Sequence, residues 1–261
     1  MNDRSKTYTY DQANRLVGIS ANGLTWSATY NGDGARLKQT SNGSVTTYTL
    51  DLAAPLVQVL VQQDVSGTTR YLYGVTRIGE QQPGGWAYHL SDALGSVRQL
   101  TDGSAQVTLA RGYMPYGEVL WSVGNGVSVY GYTGEDWNTV TQLVFLRARY
   151  MRPGLGMFLS RDPWSGDELR PRSMNGCAYV EGNPINLTDP TGRIPEPKFG
   201  PDDYEYSCNC GWIDWHHAYP GLARQIIGDI NGVQGRRDGY NAGSFILPVS
   251  TGDIFGDIKR L

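Results

Sequence analysis

Two stretches of this chain carry residues whose types and spacing could do chemistry. In the first, Arg161-Asp162-Pro163, Asp167 and Asp189-Pro190-Thr191-Gly192 bring three aspartates close together in sequence. Two carboxylates at contact distance cannot both ionise, so their pKa values split, and one becomes an acid while the other stays a base. Hydrolysis needs that division, one group activating water and the other protonating the atom that leaves. Asp162 is the first member of such a pair, and Asp167 and Asp189 are both available as the second. The structural alternative is that Asp before Pro accepts turn amides while Arg161 pairs locally.

In the second stretch, Cys208-Asn209-Cys210 is followed by Asp214 and by His216-His217. Cys208, Cys210, His216 and His217 could ligate zinc, although C-x-C with adjacent histidines is not a standard finger spacing. Cys210 could instead be a thiol nucleophile with His216 or His217 as base and Asp214 as orienter. The bland reading buries or oxidises the cysteines and packs the histidines around Trp215. Cys177, with no histidine nearby and no basic surroundings, reads as a small buried thiol.

The elements that must position these residues read as strands and turns. Met157 and Leu159 alternate along a strand that Pro163 must stop, because proline fixes a backbone angle and lacks a ladder donor. Ile185 to Thr188 alternates like a last short strand between the turns at Asn183-Pro184 and Asp189-Pro190. Upstream, Tyr10-Asp11 before Asn14-Arg15-Leu16 recurs as Tyr30-Asn31-Gly32-Asp33-Gly34 before Arg36-Leu37, a step of 20 residues. Further hairpins are expected around Val45–Leu50, Val57–Val61, Tyr71–Gly74 and Trp86–His89. Each is too short to bury its own face, so neighbouring hairpins must stack. Asp11, Asp33 and Asp92 read as turn formers ahead of calcium ligands, and the repeated tyrosines as core.

The expected class is therefore mainly β: stacked antiparallel hairpins over residues 1–145, a closing segment over 146–192, and a distinct tail over 193–261. The tail opens with a Pro-rich linker at 193–201, and its module at 202–261 holds one amphipathic helix from Ala218 to Val233. Gly 34 and Tyr 17 against 18% charged residues fit many turns and aromatic strand positions. A net charge of −3 and pI near 5.6, with no long basic run, argue against phosphate-tracking by the core. No apolar run is long enough to cross a bilayer. Three cysteines are too few for a disulfide framework. The chain starts almost inside a repeat and is expected to be the C-terminal part of a longer protein.

The order Leu146-Arg-Ala-Arg-Tyr150, Phe158-Leu-Ser-Arg-Asp-Pro163, Tyr179-Val180, Asn183-Pro184 and Asp189-Pro-Thr-Gly192, after the upstream YD elements, resembles the core-associated region that ends the array of Rhs/YD-repeat proteins. That resemblance covers residues 1–192. It implies a hollow β-hairpin shell enclosing a variable C-terminal toxin or effector, sealed by the core-associated segment. It also implies secretion or cell-surface exposure, and as partners the upstream repeats of the same longer chain, an immunity protein or a target-cell surface. The C subunits of insecticidal toxin complexes, which share the Arg-Asp-Pro element, are aspartyl autoproteases. By that resemblance Asp162 is catalytic with Arg161 as its electrostatic neighbour, and the cut falls between Gly192 and Arg193. Arg193 departs from the leucine of the family pattern. The related animal teneurins imply a rival reading, a surface adhesion protein without proteolysis; a third makes residues 202–261 a zinc or Cys/His-dependent enzyme packaged by the repeats.

Overall fold

The computed structural model describes residues 6–197. These lie in the first of two units into which the chain divides, Met1–Lys198 and Phe199–Leu261. Twelve strands form one antiparallel sheet whose spatial order is the sequence order. They are β1 (Thr7–Tyr10), β2 (Leu16–Ala21), β3 (Leu24–Tyr30), β4 (Arg36–Ser41), β5 (Ser44–Asp51) and β6 (Gln58–Asp64), followed by β7 (Gly67–Tyr73), β8 (Arg77–Gln82), β9 (Gly85–Ser91), β10 (Val97–Thr101), β11 (Val107–Tyr113) and β12 (Val119–Gly124).

Local chemistry explains the hairpins. Asn22-Gly23 and Asn42-Gly43 are two-residue links in which Gly23 (φ 73°) and Gly43 (φ 86°) take the left-handed conformation that tight hairpins need. Longer turns begin at an Asp or Asn whose side chain replaces missing backbone partners. Asp11 Oδ1 accepts the amides of Ala13 and Arg15 at 2.9 Å each, and Asp92 Oδ1 those of Leu94 and Ser96. Asn31 Oδ1 accepts the amide of Ala35 at 2.8 Å.

The tyrosines reveal a longer repeat than the hairpin. Tyr30, Tyr73 and Tyr113 end β3, β7 and β11, and each hydroxyl donates to a carbonyl of the preceding strand: Leu16 (2.7 Å), Val59 (3.0 Å) and Val97 (3.1 Å). Four strands thus make one unit. Arg36 opens β4 and Arg77 opens β8, the matching place one unit later.

A second, four-stranded sheet packs against the inner face of the meander: β13 (Asp136–Asn138), β14 (Leu143–Leu146), β15 (Arg149–Arg152) and β16 (Met157–Phe158). Leu16, Ile19, Leu24, Trp26 and Ala28 of the large sheet bury against Leu143 and Tyr150, each large apolar side chain contributing roughly 1.5–3 kcal/mol. Further along, Tyr71, Val97, Leu100 and Leu109 bury against Tyr130. The large sheet ends at Gly124, so the boundary expected after residue 145 falls inside β14. The expected Met157/Leu159 alternation is also out of step. Met157 is 41% exposed and Phe158 is buried, because Phe158 sits opposite the fully buried Met151 of β15. A two-stranded ribbon, β17 (Leu187–Thr188) with β18 (Glu196–Pro197), brackets the Asp189–Gly192 turn.

Candidate active site

The site is built where two sequence motifs touch. Residues 146–149 are the tip of the β14–β15 hairpin, with Leu146 paired to Arg149 and Arg147 in the left-handed region (φ 51°). That tip grips the turn at residues 189–192 through three successive carbonyls. Arg147 Nη1 donates to the carbonyl of Pro190, the Ala148 amide to that of Thr191 at 3.3 Å, and Arg149 Nε to that of Gly192. Arg147 is also paired with Glu135 at 2.8 Å. Gly192 (φ 70°) fits because it has no side chain: a Cβ there would lie 2.0 Å from the Leu146 carbonyl oxygen.

Arg149 is the centre of the arrangement. Its Nη2 lies 2.6 Å from Asp162 Oδ2 and 3.4 Å from Asp189 Oδ2, and its Nη1 donates to the Gly176 carbonyl at 2.9 Å. The guanidinium stacks 3.5 Å from the centre of the Phe158 ring. Asp189 is the deeper carboxylate, its side chain 1% exposed against 7% for Asp162. Asp189 Oδ1 accepts the backbone amide of Arg193 at 2.9 Å, that of Ile194 at 3.2 Å and the Thr191 hydroxyl. Asp162 Oδ1 accepts the Trp164 amide at 2.9 Å.

Burial pushes both carboxyl groups above the usual carboxylate range, the nearby Arg149 charge and the amide contacts offsetting it only in part. Burial likewise pulls Arg149 below the ordinary guanidinium value, against the pull of Asp162 and Asp189. A cavity of about 20 Å³, room for one water molecule, is lined by Arg149, Asp162, Asp189 and Arg193 among others. The bond between Gly192 and Arg193 is therefore held at both ends, its oxygen by Arg149 and its nitrogen by Asp189. The contacts of Asp189 also close an Asx-type turn, and one geometry serves both purposes.

Of the residues singled out from sequence, Asp162, Asp189, Gly192 and Arg193 come together. Asp167 does not join them; it forms a separate turn in which its Oδ1 accepts the Leu169 amide and its own amide bonds to Ser173 Oγ. Arg161 is exposed and lines a cavity of about 380 Å³, and the cation paired with Asp162 is Arg149 in its place. Cys177 is a half-buried free thiol beside Gly176. Cys208, Cys210, Asp214, His216 and His217, the zinc proposed for them, and the helix at 218–233 lie outside the described residues. Among the described residues there is no cluster of three metal-binding side chains, and no helix long and apolar enough to cross a membrane. Sequence reasoning missed Arg149. Its place directly before Tyr150-Met151 on an otherwise apolar strand was the available signal, though Arg147 and Arg152 flank it, since a charge buried there demands partners.

A long antiparallel meander thus packs against a small sheet, with an Arg-bridged aspartate pair at a turn. No protein-family model matches the chain. In sequence it is similar to the tRNA3(Ser)-specific nuclease WapA of Bacillus spizizenii, 30% identical over 201 residues, which are 73% of this chain and 8% of that protein. It is equally similar to the tRNA nuclease WapA of Bacillus subtilis, 30% identical over 200 residues, with the same coverage of each chain. In structure it matches a chain of the Photorhabdus luminescens Tc holotoxin pore, which contains TccC3. That match has a TM-score of 0.58 and 19% identity, over 74% of this chain and 10% of the other. The chain thus spans less than a tenth of the WapA relatives. This kinship and this fold fit an Rhs-repeat, toxin-related protein.

Proposed function

We propose that this chain is the closing end of an Rhs-repeat shell that cuts itself between Gly192 and Arg193, freeing residues 193–261 as a variable effector region inside a larger, exported toxin-like protein. The observation that carries the reading is the convergence of Asp162, Asp189 and Arg149 on one peptide bond. The more accessible Asp162 takes a proton from water as the water oxygen bonds to the Gly192 carbonyl carbon. The enclosed Asp189, whose carboxyl burial pushes above the usual range, is the acid that gives a proton to the Arg193 nitrogen as the C–N bond breaks. One water is consumed, and a new carboxyl and a new amino terminus result. The WapA relatives, named as tRNA nucleases, support a toxin context for the longer protein.

The test is mass analysis of the full-length chain purified under native conditions. Wild type is expected as two fragments, one ending at Gly192 and one beginning at Arg193, and Asp162→Asn as a single uncut chain. An intact wild type sinks the reading and favours a permanent, adhesion-type extension.

A further inference from the structure

We propose that the cavity of about 380 Å³ beside Thr191 and Arg193 is a binding site for a small amphipathic anion, an aliphatic chain ending in a carboxylate or phosphate group. The inference does not depend on the self-cleavage reading.

Charge supplies the first half of the case. Among the described residues, seven arginines and three acidic residues line the cavity. Four of the arginines are tied to carboxylates: Arg15 to Asp11 at 2.6 Å, Arg36 to Asp136, Arg147 to Glu135 at 2.8 Å, and Arg149 to Asp162 and Asp189. Arg77, Arg161 and Arg193 have no ion pair with any described residue, and the one acidic wall residue left over is Asp33, exposed on the turn between β3 and β4. The wall therefore keeps an excess of positive charge. Arg161 is exposed, so its planar fork can turn onto an oxyanion without breaking an existing pair.

Apolar surface supplies the second half. Leu50 of β5, Val59 of β6 and Val57 just before it line the cavity and are each half-buried, which leaves aliphatic surface for a ligand to cover. The rings in the same wall already carry cations on a face, Arg36 over Phe145 at 4.1 Å and over Tyr48 at 4.8 Å, and Arg77 over Tyr130 at 3.1 Å. A ligand ring thus has little to stack on, whereas an alkyl chain has side chains to pack against.

Size and overall charge narrow the class. The volume falls within the range of small-molecule pockets, roughly 300–1,000 Å³, and is far more than one inorganic anion fills. With a net charge of −3 on the chain, the positive wall is a local feature, suited to one small anion and not to a polynucleotide backbone. Arginine grips carboxylate and phosphate in the same two-pronged way, so the head group is left to experiment.

The full chain as purified is titrated with acetate, butanoate, hexanoate, hexan-1-ol and hexyl phosphate, and binding is followed by NMR of the ligand. Each buried methylene is worth about fourfold, so hexanoate is expected to bind on the order of a hundredfold more tightly than acetate, with butanoate between them. Hexan-1-ol, which lacks the charge, should bind about tenfold more weakly than hexanoate. Hexyl phosphate binding more tightly than hexanoate assigns a phosphate head group, and the reverse order a carboxylate. Arg161→Gln should weaken both hexyl anions about tenfold and leave hexan-1-ol unchanged. Val57→Trp, which fills the aliphatic wall, should abolish binding of all three. Folding of each variant is checked by thermal unfolding, and where Val57→Trp does not fold, Arg161→Gln decides. Acetate or hexan-1-ol binding as tightly as hexanoate, no saturable binding of either hexyl anion, or binding untouched by Arg161→Gln overturns the proposal.

Discussion

Charge at the site is balanced unevenly, and the imbalance has a sign that can be measured. Burial makes Asp189 hold its proton more tightly in the folded chain than in the unfolded one. Between the ordinary carboxylate value and the raised one, the folded state therefore binds more protons, and the stability due to this group grows as pH falls through that window. The comparison is best made in uncut chains, Asp162→Asn against Asp162→Asn with Asp189→Asn. In thermal unfolding from about pH 7 to about pH 4, the chain that retains Asp189 should gain stability relative to the other, and parallel curves would contradict this. At this scale the sequence displayed the right letters without their contacts. Asp162 and Gly192 could be picked out from their turns, yet Asp167 and Asp189 were equivalent until the fold carried only Asp189 to Arg149. Arg149 could not be matched to its partners, because an ion pair spanning 40 residues leaves no local pattern.

Hairpins were the most legible elements, because their determinants are local. Asn-Gly links and Asp-initiated turns announce themselves through residues that tolerate left-handed backbone or mimic a missing carbonyl. Asp92 tests how far such a side chain stabilises the sheet. Asp92→Ala loses the acceptor for the Leu94 and Ser96 amides and should destabilise the chain by roughly 1–2 kcal/mol. Urea unfolding reads this directly, and an unchanged midpoint would show that water replaces the side chain fully. The strands expected through Met157 and over Ile185 to Thr188 both form, as β16 and β17, each only two residues long. Less legible was the facing of β16, which is set by its pairing with β15 rather than by its own alternation, so the phase expected from Met157 and Leu159 failed. The four-strand unit was hidden as well, since Tyr30, Tyr73 and Tyr113 are separated by irregular loops and only their hydroxyl contacts show that they are equivalent.

Across the whole described body, the two sheets are pinned by buried arginines as well as by apolar contact. Arg36, with a side chain 3% exposed, pairs with Asp136, donates to the Tyr150 hydroxyl at 3.2 Å and stacks 4.1 Å from the Phe145 ring centre. Arg77 repeats the device further along, over Tyr130 and on the Gly134 carbonyl at 2.8 Å. Arg36→Met strands Asp136 as a buried, unpaired carboxylate and should destabilise the chain by about 3–5 kcal/mol. Adding Asp136→Leu should recover much of that loss, as measured by denaturant unfolding; a second loss in place of recovery would mean that the pair contributes net attraction. The mainly β class was readable because a 20-residue step of turn and strand letters survives in the sequence. The inward packing was not, since Arg36 and Asp136 stand 100 residues apart. Finally, in a meander where each strand bonds only to those adjacent in sequence, the number of strands is an adjustable quantity. Inserting or deleting a whole tyrosine-strapped unit would lengthen or shorten the sheet by four strands while leaving the Arg149 contacts untouched, so size and terminus can change independently.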